Sequence, residues 1–199
     1  MPSPATHTRR HAPAEQRRAQ IVEAAFACFA EKGYHATTMD DLVRASGLSK
    51  GSLYWHFRSK QDVFLAVFDA FAEALFSDWD AQLAAGRRTL DALDAVMSRT
   101  IERMSDEGRG LRAWVEFMAH PQARQRLADV YRRTRGELEE SLRRDLADGC
   151  IRDLPLEGAA AALTAAGEGL LLQAMVDEGF NAREHWPVVM TALRSGLSP

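Results

Sequence analysis

Residues Thr37–Asp62 read TTMDDLVRASGLSKGSLYWHFRSKQD, and their spacing decides the fold. Leu42, Val43, Leu48, Leu53 and Phe57 are the apolar positions of two short helices that flank Gly47. That is a helix-turn-helix layout. The first of the two is predicted from about Thr38 to Ala45. Thr38 followed three residues later by Asp41 forms a capping box, with Asp in place of the usual Glu, and Thr37 is the alternative cap. Gly47 stands where the turn needs a positive φ. Ser49 caps the next helix, which runs to about Phe57. Ser59 caps another, with Asp62 in its first turn, where the helix dipole favours an anion.

The helix after Ser49 opens with Lys50, Gly51 and Ser52, small or cationic residues at a helix N-terminus, a place that favours phosphate. Tyr54, Trp55 and His56 follow, and only one or two of these three can face a core. Outward from this segment the helical pattern continues in both directions. Ile21, Ala24, Ala25, Cys28 and Phe29 form one face of a first helix, which Gly33 ends. Phe64, Val67, Phe71, Leu75 and Trp79 stripe a long fourth helix. Further helices are expected at about 89–105, 109–119, 121–149, 156–178 and 184–197, punctuated by Gly and Pro. No strand pattern interrupts them. The reading is all-α with about nine helices: a flexible basic arm (1–13), a three-helix helix-turn-helix domain (14–60) and a helical bundle (61–199).

Charge divides along the same line. The 199 residues carry a net −3, but residues 1–60 hold nine basic and five acidic side chains, a net +4, so the remainder carries −7. A basic head on an acidic body points to a polyanion at the head. Cys28 and Cys150 lie far apart with no metal or redox spacing, as expected of reduced thiols in the cytoplasm. No signal peptide is read at the start. The apolar run from Ala159 to Val176 contains Glu168 and reads as a buried helix rather than a membrane span. An enzyme is disfavoured: there is no His-Glu-x-x-His, no Gly-rich phosphate loop and no Gly-x-Ser-x-Gly. Asp40 and Asp41 are helix-start residues, and no cofactor or metal is expected.

Residues 15–64 resemble the DNA-binding domain of the TetR family throughout. Glu31-Lys32-Gly33-Tyr34 leads into Thr37-Thr38. Gly47-Leu48-Ser49-Lys50-Gly51-Ser52-Leu53-Tyr54-Trp55-His56-Phe57 is similar to that family's recognition helix, and Ser59-Lys60-Gln61-Asp62 to its fourth-helix start. The resemblance implies a two-fold dimer on a double-stranded, near-palindromic operator. It implies DNA contacts by Thr37, Thr38, Ser49, Lys50, Gly51, Ser52, Tyr54, Trp55, His56 and Lys60. Of these, Thr38 would hold a phosphate and Lys60 would clamp the backbone. Arg9 and Arg10 would reach the minor groove.

The remainder resembles the family's ligand-binding and dimerisation domain more loosely, through Trp114-x-x-Phe117 and Gly167-Glu168-Gly169-Leu170. Trp79, Met97, Met104, Trp114, Phe117, Met118, Tyr131, Glu168 and Met175 are candidate lining for a small-molecule pocket among helices four to eight, although such stripes are more often core. Glu168 either reads a ligand or pairs internally. Leu163, Ala166 and Leu170 of the eighth helix, with Trp186, Val189, Met190 and Leu193 of the ninth, are the expected dimer interface. The expected function is repression relieved by a small, largely apolar effector. A constitutive regulator without a ligand and an activator are the alternatives.

Overall fold

A computed structural model describes residues 14–105, 115–177 and 179–199. The arm and Trp114 lie outside the described residues. Among these there are nine helices and no strand. They are α1 (Ala14–Lys32), α2 (Met39–Ser46), α3 (Lys50–His56), α4 (Lys60–Ala84) and α5 (Thr89–Ser105), then α6, described over 115–119, α7 (Ala123–Ala147), α8 (Leu156–Val176) and α9 (Ala182–Leu197).

The helix starts follow the local signals. Thr38 accepts from the Asp41 N–H, while the Asp41 carboxylate accepts from the Thr38 N–H, a complete capping box. Gly47 closes α2 at φ 66°. Ser49 caps α3 and Ser59 caps α4. The start of α5 is handled from a distance. The Thr89 N–H donates to the buried Asp145 carboxylate of α7 at 3.0 Å, and the Thr89 hydroxyl lies 2.8 Å from Ser141 Oγ. This pairing satisfies polar groups that burial would otherwise leave unpaired.

Two apolar clusters share one rod. At 25 residues, α4 is about 37 Å long at the α-helical rise. Its first half brings Val63, Phe64 and Phe68 to Ile21, Phe29, Leu42, Leu53 and Phe57 of α1–α3. Its second half brings Trp79 to Val96, Leu142, Leu163 and Trp186 in the body. The head cluster also takes in Phe117 of α6 and Ala123 of α7. The packing therefore runs across the 60/61 position expected as the domain boundary, because α4, which begins there, contributes to both clusters.

The α8–α9 pair carries most of the residues expected at the dimer interface inside the protomer. Leu163, Leu170, Trp186 and Met190 are 1–6% exposed and form the protomer's own core. The Trp186 indole N–H donates to Asp94 at 2.9 Å. Ala166 is half-buried, and Val189 and Leu193 pack partly buried against the same cluster. Helical spacing identifies an apolar face but not its neighbour, and both helices have two such faces. The outer ones carry Ala161, Ala165, Leu172 and Val176 of α8 and Val188 and Ala192 of α9. Val176 is 86% exposed and Val188 67%. By length and composition α8 is apolar enough to cross a membrane, with a mean hydropathy of 1.4, yet most of its apolar stretch is not buried in the protomer. It leaves a large apolar strip uncovered.

Candidate nucleic-acid interface

The face of α3 is built by anchoring one side of a two-turn helix. Leu53 is fully buried and Phe57 nearly so. The 100° advance per residue then turns Tyr54 and Trp55 outward, 43% and 73% exposed. Such aromatics outside a core mark a contact surface. Lys50 and Gly51 are exposed at the N-terminal end, and a Cβ on Gly51 would meet nothing within 4 Å. The Ser49 hydroxyl accepts from the Ser52 N–H at 3.2 Å, which fixes the entry of the helix. Trp55 and His56 meet edge to face, with centroids 4.5 Å apart.

Acidic groups hold the cations of this surface in place. Lys50 pairs with Asp40 at 3.0 Å, and this hydrogen bond pushes its ammonium pKa up. Asp41 pairs with Lys32 at 3.0 Å and Arg44 at 2.5 Å. The Thr38 hydroxyl, then the Thr38 N–H and Lys32, hold the Asp41 carboxyl far below the usual range. The Lys50–Asp40 pair is solvent-facing on both sides, so exchanging Asp40 for a phosphate costs Lys50 little.

His56 is half-buried. Burial lowers its pKa first, and the positive charges of Arg17 and Arg18 lower it further. Its imidazole is therefore neutral near pH 7. A group whose folded pKa is depressed takes up its proton more readily when unfolded, so stability falls as pH drops below about 6.5. We expect a smaller loss of melting temperature between pH 7 and 5 in His56→Gln than in the wild type. In NMR, His56 should titrate below an exposed histidine. Equal losses in the two proteins would refute the assignment.

Two candidate contacts are placed otherwise. Thr37 is fully buried, and its hydroxyl donates to Gly33 O at 2.7 Å. It pins the α1–α2 turn and has no free surface for phosphate. Lys60 turns inward as well. Its ammonium donates to Tyr34 O at 2.7 Å, Thr37 O at 2.8 Å and His35 O at 3.2 Å, and it sits 4.5 Å from the Tyr34 ring centroid. An ammonium has three donors, and all three are used. Thr38, Ser49, Lys50, Gly51, Ser52, Tyr54, Trp55 and His56 stay at or near the surface.

A cavity of about 890 Å³ opens between α1, α4, α5 and α6. Val22, Phe26, Val67, Phe71, Met104 and Phe117 supply much of its apolar wall, and Arg18 and Arg103 are among its charged groups. Of the expected pocket residues, Met104 and Phe117 line it. Trp79, Met97, Met118, Tyr131, Glu168 and Met175 do not line this cavity. Trp79 is body core at 6% exposure. Glu168 is half-buried on α8, and burial raises its carboxyl pKa. This cleft lies at the head end of α4.

Glu116 of α6 was not read from the sequence. Its carboxylate accepts from the Tyr34 N–H in the α1–α2 turn. The neighbouring Trp114-x-x-Phe117 pattern drew attention to the aromatics on either side, and no local signal marks a carboxylate that serves a turn in another element.

Comparison with known proteins follows the same division. The family model described as bacterial regulatory proteins, tetR family, matches residues 21–67. That of the BetI-type transcriptional repressor C-terminal domain matches residues 85–198. The HTH-type transcriptional repressor KstR2 of Rhodococcus jostii is 29% identical over 110 residues, 55% of this chain and 54% of the relative. The HTH-type transcriptional activator FasR of Mycolicibacterium smegmatis is 31% identical over 112 residues, 55% and 51%. The matched segment spans about half the length of these curated relatives. Among solved structures, a complex of SmeT with triclosan superposes with a TM-score of 0.77 at 23% identity, covering 92% of each chain. SmeT is described elsewhere as the repressor of a Stenotrophomonas maltophilia multidrug efflux pump.

Proposed function

Because this chain belongs to the TetR family of transcriptional regulators, we propose that it is a cytoplasmic, ligand-responsive repressor that reads a palindromic operator as a dimer and is released by a small, largely apolar effector. The observation that carries the DNA-reading part is α3, seated on Leu53 and Phe57 with Tyr54 and Trp55 facing outward beside an open Gly51. Lys50 and Gly51 would approach the groove, Tyr54 and Trp55 its bases and phosphates, and Thr38 a flanking phosphate at the start of α2. Two copies would place their α3 helices in successive major grooves about 34–36 Å apart.

The outer strip of α8 and α9 supports the dimer. Pairing Leu172, Val176 and Val188 with their two-fold mates would cover apolar surface that a lone protomer leaves in water. The cleft of α1, α4, α5 and α6 supports the effector. It has the size of a small-molecule site and an aromatic wall. The triclosan complex of SmeT is a similar fold with a small aromatic guest. An occupant wedged between α1 and α4 would favour a head orientation that no longer matches the operator, a population shift set by its preference for that state.

The test is selection of bound duplexes from a random pool, with Tyr54→Ala/Trp55→Ala alongside. The wild type should enrich a two-fold symmetric sequence, and the double variant should lose it at unchanged melting temperature. Enrichment of the same sequence by both would remove α3 as the reader. Release of the selected duplex is then screened with apolar aromatic compounds against wild type and Ala70→Trp, which narrows the cleft from its exposed wall. The matched segment of FasR lies in an activator. A reporter that falls rather than rises on deleting the gene would favour that sign of control.

A further inference from the structure

The α1–α2 turn is held from two sides. From within the head, Lys60 binds three of its carbonyls and Thr37 ties back to Gly33. From the body, Glu116 of α6 accepts the Tyr34 N–H with one carboxylate oxygen, across 82 residues of chain. Its other oxygen lies so close to Gly33 that a Cβ there would sit 2.5 Å away, and Gly33 itself holds φ +82°. One turn further along, His120 meets the Tyr34 ring edge-on at 5.4 Å and the Phe64 ring at 5.6 Å. Phe117, next to Glu116, stacks on Phe68 of α4 at 3.5 Å. So α6 grips both the leading turn of the head and the rod that carries it.

The grip has a direction. The turn leads within a few residues to Thr38, the N-cap of α2, and α2 carries α3 through the Gly47 turn. A carboxylate on a main-chain N–H is a strong, oriented bond. Aromatic packing by Phe117 and His120 fixes distance but leaves room for rotation. We propose that Glu116 is a positioning residue for operator reading: its bond to Tyr34 sets the angle of each helix-turn-helix on the body, and with it the half-site spacing that the dimer accepts. This rests on the dimeric operator reading above.

Lys60, Thr37 and the capping box all lie inside the head and stay in place without Glu116, so each head keeps its own DNA surface. What loosens is the relation between two heads. The experiment uses the selected duplex, the same duplex with one base pair added or removed at its centre, and a single half-site. We expect the wild type to lose at least tenfold in affinity for a change of one base pair, and Glu116→Ala to lose less than threefold. Glu116→Ala should bind the half-site within twofold of wild type, but the full duplex about tenfold more weakly. Glu116→Gln keeps one acceptor for the Tyr34 N–H and should restore most of the discrimination. Glu116→Asp, one methylene short, should fall between, and it carries the test if the alanine variant folds poorly.

Equal losses on half-site and full duplex would mean local damage to the head and would overturn the inference. So would spacing discrimination unchanged in Glu116→Ala. A wild type indifferent to spacing would overturn both this inference and the dimeric operator reading, which separates the two failures.

Discussion

Lys60→Met is expected to lower the melting temperature by about 6–12 °C while leaving the salt dependence of operator binding unchanged. The ammonium satisfies three backbone carbonyls of the α1–α2 turn and lies beside the Tyr34 ring. Hydrogen bonds to a charged group contribute roughly 1.5–3 kcal/mol each, and not additively, so a total of about 3 kcal/mol is reasonable. In a protein of this size each kcal/mol moves the midpoint by roughly 2–4 °C. Lys50→Met is expected to do the opposite. Its partner in the free protein is an exposed Asp40, so stability should hardly move. If each Lys50 of the dimer replaces that partner with a phosphate, the slope of log affinity against log salt should fall by about 1.8, roughly 0.9 for each of the two contacts. Thermal melts and salt titrations of the two variants separate a lysine that builds the head from one that meets DNA. A reduced slope in Lys60→Met at unchanged stability would put Lys60 back on the DNA backbone.

Leu172→Arg/Val188→Arg should convert the proposed dimer to monomer and weaken binding to the selected two-fold symmetric duplex by about a thousandfold. Both residues sit on the outer strip of α8 and α9. Two-fold symmetry brings each new charge in twice, and like charges across a buried apolar contact cost several kcal/mol, where about 4 kcal/mol is a thousandfold. Trp186→Ala serves as the contrast. Trp186 is 3% exposed and bonds Asp94 within its own protomer. Its loss should cost about 3–5 kcal/mol of protomer stability, with no prior shift in association state. Light scattering and denaturant melts read the two effects apart. A Leu172→Arg/Val188→Arg protein that stays dimeric would place the interface elsewhere.

The sequence was most legible where a few neighbouring residues decide the geometry. Thr38 with Asp41, Gly47, Ser49 and Ser59 mark their caps because each satisfies backbone groups within its own turn. The aromatic face of α3 was legible too, since Leu53 and Phe57 consume its inward side. Legibility ended where a side chain chooses between partners far apart in the chain. Thr37 and Thr38 are the same residue type at adjacent positions, yet one is buried in a turn and the other caps a helix. Lys60 is chemically able to hold a phosphate or three carbonyls, and only the path of the α1–α2 turn decides. Trp186 and Met190 form an apolar stripe on either reading, and the bulkier of two faces went inward. Glu116 and the cleft depend on how α6 lies across α1 and α4, which no local spacing records.

The capping of α5 by Asp145 and the gripping of the α1–α2 turn by Glu116 also order events during synthesis. Chains emerge from the N-terminus and domains tend to fold as they appear. The reading head here gains its last contacts late. Its turn waits for a carboxylate made 82 residues later, and its core waits for Phe117 and Ala123. The α5 start waits in turn for a partner 56 residues downstream. A nascent chain halted at the end of α4 therefore carries every residue proposed to touch DNA, but not the scaffold that aims them.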